Sequence, residues 1–225
     1  MNTTKFDAHD FEAVEFHNQL HPRLKVEPVY FNLGFSPQPR IYGRSIVLRS
    51  IFKVLDHLPA GYGILVWDVY RTRATQASLF EWMRGEIKKK MPHLSDEDNF
   101  TETLKFVALP SAPNDDYCAP HLSGGAIDLT LFDRQTDLPL DMGTPFDECS
   151  DRAHRDYFDA LRTLTPEDKR IRDNRKLLRS AMEHAGFTSY QYEWWHYDMG
   201  NLFWSLSLNQ PAVFGPLFGD KEWPE

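Results

Sequence analysis

Four residues in two short stretches are of the types that bind metals and move protons. In PHLSGGAIDLTL, residues 120–131, His121 and Asp128 stand seven positions apart with Gly124 and Gly125 between them. In YEWWHYD, residues 192–198, Glu193 precedes His196 by three. Both pairs interrupt segments otherwise suited to burial, where an unpartnered charge is costly. A hydrolytic zinc ion takes three protein ligands from His and carboxylates and keeps a fourth position for water. His121, Asp128 and His196 make such a set, and Glu193 is near enough to serve as base toward the water that zinc activates. The oxyanion of an attacked carbonyl then needs a positive partner, and Arg71, ending LVWDVYR, is a candidate. The spacings alone are loose. They also suit a loop histidine, a turn aspartate and surface positions on an aromatic strand, and Arg71 could simply pair with Asp68.

The elements that must position these residues are partly visible. Val47, Ile51, Leu55 and Leu58 recur at helical spacing and predict a helix over 45–58. GYGILVWDVY, 61–70, reads as a buried strand, followed by a helix over 73–90 that stops before Pro92. Residues 125–132 read as the next strand, with Gly124 and Gly125 letting the chain turn sharply so that His121 and Asp128 converge. Helices are expected at 151–163 and 167–185, the second opened by Pro166 and closed by Gly186. Residues 187–198 and 201–208 read as two strands joined at Gly200-Asn201. In a straight strand Glu193 and His196 point to opposite faces, so shared chemistry demands a bend within 193–196. Residues 1–44 read as an irregular arm with short strands, and 91–119 as a long loop bordering the site. Without a steady βαβ rhythm, the expected class is α+β, a mainly antiparallel sheet with helices packed against it, in a single domain spanning 1–225.

The bulk numbers set limits. A chain of 225 residues can bury one sizeable core. A net charge of −8 without a basic patch argues against a nucleic-acid footprint. No segment is apolar for the length of a membrane span, and the start of the chain lacks a basic run followed by an apolar one, which leads to an expectation of a cytoplasmic protein without membrane partners. Two cysteines, Cys118 and Cys149, make no disulfide framework and are read as free thiols.

HLSGGAID resembles the H-x-x-G-x-A-x-D signature of the zinc D-alanyl-D-alanine dipeptidases, the vancomycin-resistance type, and EWWHY is similar to that family's second signature. MGTPFD (142–147), NRKLLRSAMEHAGF (174–187) and WDVYR (67–71) resemble family segments in the family's order, over about residues 45–205. The resemblance is faint in the N-terminal arm, around Tyr30 and RIYGR. It implies one zinc per chain held by His121, Asp128 and His196, Glu193 as base, and Arg71 stabilising the tetrahedral intermediate. It further implies that Asp147 faces the substrate's ammonium group, with Tyr30 a second substrate-binding candidate. One departure is plain: the family commonly has Ser two residues before the first histidine, and Ala119 stands there. The implied activity is hydrolysis of D,D-dipeptides such as D-Ala-D-Ala, in peptidoglycan precursor turnover or salvage, with a small dipeptide as the partner. A zinc carboxypeptidase on longer murein peptides is the nearest rival, and a non-catalytic zinc-binding module the rival of another class. Oligomeric state is not legible.

Overall fold

The computed structural model describes residues 6–224. In chain order the elements are β1 (Ala13–Phe16), β2 (Leu24–Val26), α1 (Val29–Asn32), β3 (Ile41–Arg44), α2 (Ser45–His57), β4 (Tyr62–Asp68), α3 (Arg73–Lys90) and α4 (Asp96–Thr103). They continue with β5 (Ala126–Asp133), α5 (Tyr157–Ala160), α6 (Pro166–His184), β6 (Thr188–Ser189), β7 (His196–Asp198) and α7 (Leu202–Leu208). Five strands form one sheet in the order β2-β4-β5-β7-β6, and β1 and β3 pair in a small second sheet. Among the described residues only β2 and β4 run parallel; the other pairs are antiparallel, so the α+β class with a mainly antiparallel sheet holds.

The sheet has two chemically different faces. Ile64 and Val66 of β4, Ile127, Leu129 and Leu131 of β5, and Tyr197 of β7 join the main core with Val47, Ile51 and Leu55 of α2 and Leu178 and Met182 of α6. Alternation along the strands therefore turns Asp128, His196 and Asp198 to the opposite face. Asp68 shares its parity with Val66 and would enter the apolar core in a regular strand. A bulge between Val66 and Asp68 prevents this: Val66 pairs with Leu129, while Asp68 pairs with Asp128. An extra residue on one strand re-aims the side chains beyond it. Asp128 in turn pairs with His196, so Asp68, Asp128 and His196 lie in one row across three strands.

Local chemistry explains the helices that frame this row. Thr72 Oγ1 accepts from the Thr75 amide at the start of α3. Thr165 and Asp168 form a reciprocal capping box before α6, with Pro166 in the first turn.

The structure departs from the sequence reading in four places. Residues 91–119 are not all loop. Ser95 caps α4, and Asp96, Glu97 and Asp98 in its first turn complement the helix dipole. Residues 201–208 form a helix, not a strand. The alternation in LFWSLSL is overridden by Gly200 in a left-handed turn (φ +68°) and by Asn201, whose side chain accepts from the Trp204 amide. Residues 151–163 form a 3₁₀ turn and the single helical turn α5. Arg175 donates to the carbonyls of Arg152 and His154, and the Trp194 amide to that of Ala153, so these carbonyls are tied across the fold, His154 taking the local Tyr157 amide as well. Residues 187–198 reduce to β6 and β7 with a bend between them, which is the interruption that a common site for Glu193 and His196 requires.

Gly124 and Gly125 serve two different needs. Gly124 has φ +68°, and a Cβ on Gly125 would sit 2.3 Å from the Met199 carbonyl oxygen. Close passage of these two backbones is fixed by the Met199 amide donating to the Gly125 carbonyl at 2.8 Å. Gly125→Ala should lower stability by about 1–3 kcal/mol through overpacking against backbone. Gly61→Ala, with open space around it, should be near neutral. Urea denaturation of the two variants checks the contrast.

Candidate active site

His121 lies in a 3₁₀ turn, His121–Ser123, immediately before β5. Its ring meets Asp128 and His196 above the sheet. Nε2 of His121 is 3.3 Å from Asp128 Oδ2 and 3.3 Å from His196 Nδ1, and His196 Nδ1 is 3.0 Å from Asp128 Oδ1. All three side chains are buried, and one ligand atom from each lies within 4.8 Å of the others.

The outer ring nitrogens decide what this cluster can hold. His121 Nδ1 faces the Val69 carbonyl at 2.8 Å, with Asp68 Oδ2 at 3.2 Å. His196 Nε2 faces Asp198 Oδ1 at 3.0 Å, and that oxygen is itself fixed by Asn201. Carbonyls and carboxylates only accept, so each outer nitrogen carries the proton. In the neutral rings the inner nitrogens then present lone pairs to each other and to a carboxylate. Three acceptors with no proton between them fit a cation, and the N₂O donor set with hydrogen-bonded outer nitrogens suits zinc. The carboxylates draw positive charge to the same place, which a proton on His196 can supply as well as a metal ion. Burial opposes charge on His196, yet Asp198 and Asp128 outweigh it and hold its pKa well above the ordinary value. Burial likewise opposes charge on Asp128, and the two histidines overcome it, keeping the carboxyl well below its usual range.

Arg71 follows β4 and is 6% exposed, deep enough that its charge is not screened away. Nε donates to Asp68 Oδ2 at 3.0 Å, Nη1 to Gln76 Oε1 at 3.0 Å, and Nη2 to the Tyr30 hydroxyl at 3.2 Å. Nη2 is also 3.5 Å from Asp128 Oδ2. Burial alone would lower its pKa, but Tyr30, Asp68 and Asp128 raise it, so the guanidinium is permanently charged.

Two further carboxyls face the same space. Glu193, in the bend before β7, is buried with Oε2 3.8 Å from His196 Nδ1. Burial lifts its pKa well above the usual value against the pull of His196, with Asp128 and Asp147 adding to the rise. Asp147 adopts a left-handed backbone (φ +60°) and receives the Tyr30 hydroxyl at 3.1 Å from both carboxyl oxygens. Burial pushes its carboxyl up to about 7, with Asp128 reinforcing and Arg71 and Tyr30 resisting.

All seven residues named from the sequence line one cavity: Tyr30, Arg71, His121, Asp128, Asp147, Glu193 and His196. Its roof is the segment after α4, from Leu104 to Ala108, and Tyr190 and Phe203 add aromatic walls. Ala119 points elsewhere, into a cluster with Tyr42, Tyr70 and Leu122. Cys118 and Cys149 are free thiols. Sequence reasoning missed Asp198, although its i+2 spacing from His196 on a strand puts both on one face. It saw Asp68 only as a rival partner for Arg71, and it missed Gln76 entirely, for which no sequence signal exists.

A buried His-Asp-His cluster, with a carboxyl and an arginine in the same small cavity, defines a hydrolytic metallopeptidase class of site. Residues 38–212 match the family Peptidase_M15, described as D-ala-D-ala dipeptidase. The D-alanyl-D-alanine dipeptidase of Enterococcus faecalis is 31% identical over 164 residues, 71% of this chain and 74% of the relative. That of Synechocystis is 31% identical over 210 residues, 83% and 81% of the two chains, and that of Escherichia coli is 39% identical over 140 residues, 62% and 56%. Among solved structures, a variant of the vancomycin-resistance D,D-pentapeptidase VanY in complex with Zn(II) aligns with a TM-score of 0.43 at 16% identity, over 72% of this chain and 75% of that one. The chain belongs to the D-Ala-D-Ala dipeptidase family, Peptidase_M15. The expectation of a metallopeptidase is met at that level.

The hydrogen bond from His196 to Asp198 yields a direct test. Asp198→Ala should leave the three inner ligand atoms in place yet weaken zinc binding about 10–100-fold, because the ring loses its orienting acceptor. Competition with a chromophoric chelator measures this; unchanged affinity would contradict the assignment of the outer proton.

Proposed function

We propose that the protein is a zinc-dependent dipeptidase hydrolysing D,D-dipeptides, D-Ala-D-Ala being the type substrate, in peptidoglycan precursor turnover or salvage. The observation that carries this reading is the convergence of one ligand atom each from His121, Asp128 and His196 beside Glu193 and Arg71 in one cavity. Bound zinc supplies Lewis acidity toward the scissile carbonyl and acidifies a water molecule. Glu193 removes a proton from the attacking water and returns it to the leaving amine, a role suited by a carboxyl whose burial raises its proton affinity. Arg71, held on three sides, offers fixed positive charge to the developing oxyanion without reorganising. Asp147 receives the substrate's ammonium group, and Tyr30 orients it while touching Arg71. A buried carboxylate there favours a free amino terminus, which a dipeptide has and an internal murein residue lacks.

Glu193→Ala should cut kcat by about 10²–10⁴-fold yet keep zinc content near that of the parent, since Glu193 is a base and not a ligand. His196→Ala should lose metal as well as turnover. Metal analysis beside a panel of L,L, L,D, D,L and D,D dipeptides, with and without chelator, tests both. Zinc loss in Glu193→Ala would reassign the roles, preference for longer murein peptides would favour a carboxypeptidase, and chelator-insensitive inactivity would favour a binding module.

The pH dependence of KM follows from Asp147. Pairing with an ammonium group requires the carboxylate, so KM should fall as pH rises toward about 7. A neighbouring dication stabilises the carboxylate and moves that limb lower. KM should rise again where the substrate amine deprotonates, near a pH of about 8. Asp147→Asn should raise KM roughly tenfold to a hundredfold, the value of a charged hydrogen bond, and remove the acid limb. A variant that keeps the acid limb would assign amine binding to another group.

A further inference from the structure

Gln76 stands on the first turns of α3, 3% exposed, between two things that the sequence gives no reason to connect. Its Oε1 accepts from Arg71 Nη1 at 3.0 Å. Its Nε2 donates to the Ala108 carbonyl at 2.6 Å. The orientation of the amide is forced, because arginine only donates and a backbone carbonyl only accepts. Ala108 ends the segment Leu104–Ala108 that roofs the cavity. The start of that roof is tied to α4 by backbone bonds from the Leu104, Lys105, Phe106 and Val107 amides to the carbonyls of Phe100, Glu102 and Thr103, and Leu104, Phe106 and Val107 pack in a cluster with Leu79, Met83 and Tyr30. At its far end, Ala108, the Gln76 amide adds a directional bond across the cavity.

We propose that Gln76 is a positioning residue that couples the seating of the Leu104–Ala108 roof to the orientation of the Arg71 guanidinium. With the roof down, both ends of the amide are satisfied and Nη1 is held in place. With the roof displaced, the amide loses its acceptor and can rotate, and Arg71 loses one of its three side supports. Asp68 and Tyr30 still hold the rest of the guanidinium, and Nη1 is fixed only when the cavity is closed over its contents. The proposal rests on the reading that Arg71 serves hydrolysis.

Two variants of the zinc-loaded full chain separate the two ends of the link. In Gln76→Glu one carboxylate oxygen still accepts from Arg71, while the other meets the Ala108 carbonyl as acceptor against acceptor. Gln76→Met keeps the length and removes both bonds. Three readouts are taken: amide hydrogen exchange over 104–110, which reports local opening, the Arg71 Nη1–H resonances in ¹⁵N–¹H spectra, and kcat and KM for D-Ala-D-Ala. Exchange over 104–110 should quicken about tenfold in both variants, the scale of one lost hydrogen bond. The Arg71 resonances should persist in Gln76→Glu and weaken through solvent exchange in Gln76→Met. In Gln76→Glu, KM should rise with kcat within about threefold of the parent, and in Gln76→Met kcat should fall about tenfold or more. Unchanged exchange in both variants would overturn the link to the roof. Arg71 resonances unaltered in Gln76→Met, with kcat and KM moving together as thermal stability falls, would reduce Gln76 to packing and overturn the coupling. If the parent itself fails to hydrolyse dipeptides, the reading of function fails, while exchange and resonance still decide whether the link exists.

Discussion

Two carboxylates placed directly opposite each other in a buried sheet are the constraint around which this molecule is organised. Asp68 and Asp128 are paired residues of adjacent strands, 6% and 2% exposed, where water cannot dilute their repulsion. Such a pair survives only if positive charge is supplied at close range. Arg71 supplies it on one side, bonded to Asp68 and 3.5 Å from Asp128. On the other side His121 Nε2 and His196 Nδ1 lie 3.3 and 3.0 Å from Asp128, where the positive charge comes from a protonated imidazole or a bound cation. Breaking one member of a buried ion cluster uncompensates the others, so the site stands or falls as a unit.

Placement of that cluster depends on one irregularity. The bulge in β4 lets a strand bury Ile64 and Val66 against α2 and then deliver Asp68 to the opposite face. Beyond it the chain carries Arg71 past the row of Asp68, Asp128 and His196 before α3 begins. The Gly124-Gly125 passage brings His121 back over the same row. Tyr30 arrives from the N-terminal arm, far in sequence from the signatures, and connects Arg71 to Asp147 through its hydroxyl.

The three carboxyls around the cavity illustrate how environment divides labour among like groups. All are buried, which by itself raises every pKa. Asp128 has two imidazoles within hydrogen-bond distance and stays ionised, as a ligand must. Glu193 and Asp147 lack that degree of compensation and sit higher, Glu193 well above the usual carboxyl range and Asp147 at about 7. Identical chemistry is thus separated into different roles by charge neighbours alone.

Local information in the chain was enough to pick out the candidate ligands His121, Asp128 and His196, the neighbouring Glu193, and the long elements α2, α3 and α6. Residue type at short spacing, helical periodicity, capping residues and proline carry that much. Strand geometry also required a bend before His196, because residues three apart cannot share a face. The strands β4 and β5 were legible too, and the family resemblance pointed to Arg71, Asp147 and Tyr30; the links among these parts waited for the folded chain. The bulge at Asp68 exists to satisfy a register with β5, which no window of β4 reveals. Residues 151–163 form a 3₁₀ turn and one helical turn in place of a continuous helix where Arg175 and Trp194, distant in sequence, bond the carbonyls of 152–154. Ala119 fills an apolar cluster, not the cavity, and Gln76 gains its place only because Ala108 is folded over it. Hydrogen bonds and charges between residues distant in sequence carry no periodicity, so they become legible only when the chain has closed on itself.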